Sequence, residues 1–114
     1  MRAAIPTNDK NTIFKRSGRA EGFLIVDITA DGYKKADYRK NSHSHHHHNN
    51  NEEDEHGHSH KEIVDDLKDC QYLIVNMIGK HFGGDIKSAG INIFKTDAVL
   101  VDEAIQKFQK EVLN

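Results

Sequence analysis

The sequence predicts an α/β domain in which a mixed sheet of about five strands, a hairpin plus parallel strands, is flanked by three helices. Three observations support this fold class: short β-branched apolar runs that suit buried strands, a tight-turn dipeptide between two strands, and apolar residues repeating at helical spacing. The 114 residues lie in the size range of one domain and can bury one hydrophobic core.

The first part of the chain predicts a short strand followed by a β-hairpin. Residues 3–6 are apolar and end in a proline, and the stretch after them is rich in turn-forming residues. Residues 23–28 are continuously apolar apart from Asp27 and too short for a helix, which suits a strand buried on both faces. Asp31-Gly32 supplies a tight turn, and residues 34–39 alternate as in an exposed strand.

The second part predicts helix, strand, helix, strand and helix. Ser59 and Glu62 form a capping box, which predicts a helix from about residue 60 to 70. Residues 72–75 and 91–94 suit strands, and the segment between them carries a helical stripe closed by Gly90. A helical crossover predicts that these two strands are parallel, with a right-handed connection. The last helix is an amphipathic stripe that must pack on the sheet: Val101, Ala104, Ile105, Phe108 and Val112.

Residues 41–60 differ in composition from the rest of the chain. They contain no hydrophobic residue, and their four acidic residues have no lysine or arginine among them. Without this segment the hydrophobic content is about 44%, which is ordinary for a folded domain. We therefore expect one domain spanning residues 1–114, with a disordered insertion at 41–60.

The insertion holds eight of the nine histidines: His43, His45, His46, His47, His48, His56, His58 and His60. Imidazole is a good ligand for borderline divalent ions, and the usual affinity order favours Cu, Ni and Zn over Fe or Mn. These eight residues are the predicted metal ligands. The alternative is a solvated loop whose histidines are incidental.

A second group of residues occupies two predicted connections. Gly18-Arg19 precedes a strand, and residues 76–82 join the carboxyl end of a strand to the start of a helix. Open α/β sheets place ligands at such ends, where backbone N–H groups attract anions. The alternative is ordinary turn residues with one surface histidine, and for the Met77 thioether it is packing. The candidate binding residues are Gly18, Arg19, Asn76, Met77, Gly79, Lys80 and His81.

The composition limits the binding partners, the role of the cysteine and the location that can be expected. The balance of 16 basic and 18 acidic residues does not indicate a nucleic-acid partner. The single cysteine, Cys70, excludes an internal disulfide, and its place on a helical stripe favours a core role over metal ligation. The chain shows neither a signal peptide nor a membrane span, so we expect a cytoplasmic protein without a membrane partner. Oligomeric state is left open.

Several short motifs, in their order and spacing, resemble the dinitrogenase iron-molybdenum cofactor biosynthesis family. They are Ala4-Ile5-Pro6-Thr7, Gly18-Arg19-Ala20 before Phe23-Leu24-Ile25-Val26-Asp27, Leu67-Lys68-Asp69-Cys70, and Ala89-Gly90-Ile91. The resemblance covers most of the chain and implies a ribonuclease H-like fold. It departs from the usual pattern where many members have His-Phe and this chain has Arg16-Ser17.

The resemblance implies a protein that binds iron-sulfur or molybdenum-containing clusters, or their precursors, and carries them between assembly proteins and target enzymes. Such a protein is not an enzyme, and Asp27 is the only acid inside a predicted core strand, which argues against nuclease activity. The first hypothesis is a cluster carrier or scaffold with an auxiliary histidine-rich metal site. The alternative is a Ni, Zn or Cu buffer, or metallochaperone, acting through the histidine segment.

Overall fold

Five strands form one mixed sheet in the order β3-β2-β1-β4-β5. The computed structural model describes residues 1–41 and 62–114. β2 is antiparallel to both β1 and β3, whereas β1, β4 and β5 run parallel to one another, which confirms the predicted mixed sheet. The strands are β1 (Arg2–Thr7), β2 (Gly22–Ile28), β3 (Tyr33–Lys40), β4 (Tyr72–Val75) and β5 (Asn92–Lys95).

Helices cover both faces of the sheet. They are α1, described for residues 62–66, α2 (Lys80–Ser88) and α3 (Val101–Phe108), which a π-helical turn, Gln109–Leu113, continues. α3 packs on one face, where the fully buried Phe108 meets Tyr72 and Phe94 edge to face, with ring centroids 4.9 and 5.4 Å away. Within the described residues, no helix is long and apolar enough to cross a membrane.

The opposite face carries α1 and α2. Leu67, which follows α1, and Phe82 and Ile86 of α2 are buried there against Ile25 and Leu73 of the sheet. β2 contributes side chains to both cores, as expected for a strand buried on both faces. Gly90 closes α2, as predicted, with a φ of 85° and an N–H that donates to the carbonyl of Lys87.

The predicted helix from about 60 to 70 extends too far toward its carboxyl end. Helical geometry is described for residues 62–66, after which a turn closed by a 2.9 Å bond from Cys70 N to Leu67 O leads into β4. The helix ends before Asp69, because the Asp69 carboxylate accepts hydrogen bonds from Arg2 and Arg39 of the sheet. The predicted cap at Ser59 lies outside the described residues.

Two arginines fasten this turn to the sheet. Arg39 forms a bidentate pair with the Asp69 carboxylate, with both N–O distances between 2.7 and 2.8 Å. Arg2 bridges the same carboxylate at 2.8 Å and the carboxylate of Asp27 at 2.8 and 3.1 Å. This network joins β1, β2, β3 and the α1–β4 turn at the edge of the sheet where β4 begins.

The predicted disordered insertion, 41–60, lies outside the described residues except for its first member. Asn41 is 2% exposed, and its backbone N–H donates a 2.8 Å hydrogen bond to the carbonyl of Glu21. Placing Asn41 in the insertion was therefore wrong, because its polar groups are bonded to the folded domain. A polar composition does not separate a solvated asparagine from one with buried partners.

Candidate functional site

The carboxyl ends of the three parallel strands share one edge of the sheet. Residues 12–16 cross this edge: Thr12 pairs with Leu100, which lies after β5, and Arg16 pairs with Met77, which lies after β4. The bond from Ile13 N to the Val99 carbonyl, 2.9 Å long, secures the same crossing. The crossing segment therefore lies beside the β4–α2 connection, where a ligand site was predicted.

The two segments singled out in the sequence meet here. Ser17–Arg19 forms a single 3-10 turn, and the buried Ser17 hydroxyl donates a 3.0 Å hydrogen bond to the carbonyl of Met77. A Cβ placed on Gly18 would lie 3.6 Å from the Phe82 ring, so the turn packs against the first turn of α2. The structure thus brings Gly18 and Arg19 next to residues 77–82.

The surface of this site is cationic. Arg16, Arg19, Lys80 and His81 are exposed, and Met77 is 56% exposed rather than packed in the core. Within residues 1–41 and 62–114, no carboxylate oxygen lies within 4.0 Å of a side-chain nitrogen of Arg16, Arg19 or Lys80. Their charge is therefore not neutralised by the described part of the chain.

The start of α2 adds backbone donors. Gly79 is the N-cap residue and offers no side-chain cap, so the N–H groups of Lys80 and His81 lack an acceptor within the helix. The helix dipole also places partial positive charge at this end. This arrangement favours an anionic ligand over a bare cation.

Asn76 has a different role from its neighbours in the predicted set. Its side-chain amide donates to the carbonyls of Thr96 and Ala98, each at 2.8 Å, and so uses both of its hydrogens. These bonds hold the β5–α3 connection against the end of β4. The amide therefore supports the site and is not available to donate to a ligand.

Cys70 lies at the opposite edge of the sheet, just before β4. Burial raises the pKa of its thiol to about 12, so the group stays protonated near neutral pH. Among residues 1–41 and 62–114, no three His, Cys, Asp or Glu side chains come together as a metal-ion site. The candidate site therefore offers positive charge and N–H donors, not thiolate ligands. The eight predicted histidine ligands lie outside the described residues.

The departure from the family pattern at Arg16-Ser17 has a structural consequence. Ser17 faces inward and ties the turn to Met77, while Arg16 faces solvent and adds a cation to the site. This role of Ser17 was not predicted from the sequence. No local pattern identifies a hydroxyl whose partner lies 60 residues away.

A second missed residue is Asn41, at the end of β3. Its side-chain amide donates to the carbonyls of Ala20 and Gly18, at 3.0 and 3.2 Å. The only sequence feature that could have indicated this role was the position of Asn41 directly after the alternating pattern of β3. The chain therefore leaves the sheet beside the turn that carries Arg19.

The fold and this edge define a small α/β domain with a mixed sheet and a cationic surface at the ends of its parallel strands. The chain belongs to the dinitrogenase iron-molybdenum cofactor family, whose model matches residues 1–111. The resemblance noted from the motifs is thereby confirmed. No curated protein sequence gives a significant match to the chain.

Solved structures share the fold at low sequence identity. The apo form of the orange protein from Desulfovibrio gigas is 21% identical, with a TM-score of 0.73, covering 99% of this chain and 90% of that one. The protein PH0822 is 24% identical, with a TM-score of 0.71 and coverages of 100% and 93%. A Methanocaldococcus jannaschii protein described provisionally as a dinitrogenase is 20% identical, with a TM-score of 0.68 and coverages of 100% and 92%.

Proposed function

We propose that this protein is a non-catalytic carrier of an iron-sulfur or molybdenum-containing cluster, bound without covalent ligation at the carboxyl edge of its sheet. The observation that carries the proposal is the contact of Ser17 with Met77, which brings the turn that bears Arg19 to the β4–α2 connection, next to the start of α2. Membership of the dinitrogenase iron-molybdenum cofactor family supports a cluster of this class as the cargo.

The chemistry of the donors suits such a cargo. Clusters built with sulfide carry negative charge, and Arg16, Arg19 and Lys80 present positive charge that no described carboxylate neutralises. Each charge-assisted hydrogen bond to a cluster would contribute about 1.5–3 kcal/mol. Without thiolate bonds to break, release of the cluster to a target protein would need no exchange of metal ligands.

Met77 and His81 add softer contacts to the same surface. The exposed Met77 thioether is polarisable, and the exposed His81 imidazole offers a hydrogen-bond donor. We assign both a secondary role beside the charges. Gly79 has no side chain at the N-cap, and nothing lies within 4 Å of a Cβ built there, so its backbone is open to a ligand. Gly18 contributes through its packing, since a Cβ built on it would lie 3.6 Å from the Phe82 ring.

The histidine segment is proposed as an auxiliary metal site. Its eight histidines favour Ni, Zn or Cu, and the chain enters it from Asn41, whose side chain contacts the carbonyl of Gly18. We propose that the protein works in the cytoplasm, receiving a cluster from assembly proteins and passing it to target metalloproteins.

The alternative function is a divalent-metal buffer or metallochaperone for Ni, Zn or Cu. One observation favours it: eight of nine histidines are concentrated in one segment. Under this alternative the histidine segment is sufficient for function, and the cationic edge has no ligand.

Anaerobic reconstitution of two full-length proteins separates these functions. One is the wild type, and in the other all eight histidines of the segment are replaced by asparagine. The cluster-carrier proposal expects the variant, which retains only His81, to acquire a charge-transfer absorption spectrum equal to that of the wild type. A wild type that acquires no such spectrum, together with Ni²⁺ binding that vanishes in the variant, would support the metal buffer instead.

A further inference from the structure

We infer that Asn41 is a positioning residue for the proposed cluster site: it fixes the turn Ser17–Arg19 and thereby sets the direction of the Arg19 side chain. The inference rests on the proposed function. Asn41 is one of three buried polar residues in the described chain, together with Thr7 and Ser17. Two of these three therefore hold the same short turn.

The contacts of Asn41 converge on the stretch that leads from the turn into β2. Its side-chain amide donates to Ala20 O at 3.0 Å and to Gly18 O at 3.2 Å. Its backbone N–H donates to Glu21 O at 2.8 Å, which extends the β2–β3 pairing by one step. Both carbonyls that receive the side-chain amide flank Arg19.

The turn Ser17–Arg19 has few hydrogen bonds of its own, so contacts with the rest of the protein must hold its conformation. Its one internal bond in the structure runs from Arg19 N to Arg16 O, 2.8 Å long, and Gly18 adds backbone freedom. One hydrogen bond does not offset the entropy of fixing a helical turn. The Ser17 hydroxyl fixes where the turn lies, and the Asn41 amide fixes how the peptide groups around Arg19 are oriented.

The contacts of Asn41 affect the proposed site through the backbone around Arg19. Because Asn41 holds the carbonyls of Gly18 and Ala20, the backbone on both sides of the exposed Arg19 is fixed. Without the amide, two carbonyls lose their donor, and the turn gains alternative conformations in which Arg19 points elsewhere. Asn41 thus acts on the cargo through Arg19 and does not contact it.

Two variants of the full-length protein test this role. Asn41→Ala removes the amide, and Asn41→Asp keeps its shape while removing both donors. The matched control is Asn92→Ala, since the Asn92 amide makes a 3.4 Å bond to Gln71 O at the opposite edge of the sheet. Circular dichroism at the assay temperature verifies that each variant is folded.

The first readout is amide hydrogen exchange of Arg19, measured by NMR without any cluster. Loss of the Asn41 donors should accelerate this exchange at least about tenfold, the equivalent of about 1.4 kcal/mol, in both Asn41 variants and not in Asn92→Ala. Unchanged exchange in folded Asn41→Ala would overturn the inference.

The second readout is anaerobic titration with tetrathiomolybdate. Asn41→Ala should weaken binding about tenfold in the wild-type background and cause no further loss in an Arg19→Ala background, because a residue acting through Arg19 is coupled to it. Additive losses would show that Asn41 acts independently of Arg19 and would overturn the inference. If the wild type binds no tetrathiomolybdate, the proposed function fails with this probe, and the exchange of the Arg19 amide alone decides the positioning role.

Discussion

The Ser17 hydroxyl donates a 3.0 Å hydrogen bond to the main-chain carbonyl of Met77, joining two residues 60 positions apart in the sequence. The bond is largely shielded from water because Ser17 is only 2% exposed. Together with the backbone bridge between Arg16 and Met77, it places the turn Ser17–Arg19 beside the β4–α2 connection. The geometry of the candidate site therefore depends on it.

Ser17→Ala should lower the free energy of unfolding by about 0.5–1.5 kcal/mol, because the Met77 carbonyl loses its donor. Urea denaturation monitored by circular dichroism measures this loss. Ser88→Ala, an exposed change at the end of α2, is the control and should alter stability by less than about 0.5 kcal/mol. Equal stabilities for the two variants would show that the Ser17 bond makes no net contribution to stability.

Alanine substitutions at Gly22 and Gly84 should change the stability of the protein in opposite directions. A Cβ on Gly22 would lie 2.5 Å from the Tyr38 ring, which cannot move without breaking the 2.9 Å bond from its hydroxyl to Thr7 O. Gly22→Ala should therefore destabilise the protein by about 1–3 kcal/mol. Gly84 is in a helix with nothing within 4 Å of its added Cβ, so Gly84→Ala should stabilise by about 0.5–1 kcal/mol. Thermal unfolding of both variants checks the two signs.

Asp69 links stability to pH. Its ion pairs with Arg39 and Arg2 hold the pKa of its carboxyl well below the usual value, so its contribution is present above about pH 4 and is lost as the pH falls toward the folded-state pKa. Asp69→Asn should cost about 1 kcal/mol at pH 7, because solvent screens this half-exposed network. The difference in free energy of unfolding between Asp69→Asn and the wild type should become smaller below pH 4.

Urea denaturation at pH 7, 5 and 3 follows this change. Asp31→Asn serves as the control because the Asp31 carboxylate has no ion pair among the described residues. A cost of Asp69→Asn that stays the same at all three pH values would mean that the carboxylate charge makes no contribution.

Metal held by the histidine segment should depend on pH near neutrality, whereas the charge of an arginine does not change in this range. Imidazole coordinates metal only when neutral, so bound Ni²⁺ should be released as the pH falls through about 6.5. Calorimetric titration at pH 7.5 and 5.5 measures this release. Full retention of Ni²⁺ at the lower pH would assign the binding to carboxylates instead.

The elements with strong local signals could be predicted from the sequence. The apolar run of β4 was placed at Tyr72–Val75, where the strand lies, and the stripe of α3 predicted the face that packs on the sheet. Both depend on side chains close together in sequence, because periodicity reports burial of one face. The parallel pairing of β4 with β5 also followed, from the crossover rule.

The contacts that assemble the site could not be predicted in this way. Ser17 and Met77 meet only because residues 12–16 cross the ends of the parallel strands. Asn41 has the composition of a loop residue, and distant carbonyls decide its burial. The sequence therefore predicted which segments meet at this edge, while tertiary structure determines the roles of single residues, such as the bonds from Asn76 that hold the β5–α3 connection.

The most direct test of the account is anaerobic titration of tetrathiomolybdate into three full-length proteins: the wild type, Arg19→Ala/Lys80→Ala and Lys34→Ala/Lys110→Ala. The last has the same loss of charge but removes exposed lysines outside the site. We expect the control to bind like the wild type and the Arg19/Lys80 variant to bind at least about tenfold more weakly, since it loses charge-assisted hydrogen bonds. Equal binding by both double variants would show that net charge, and not this edge of the sheet, attracts the anion, and would contradict the proposed site.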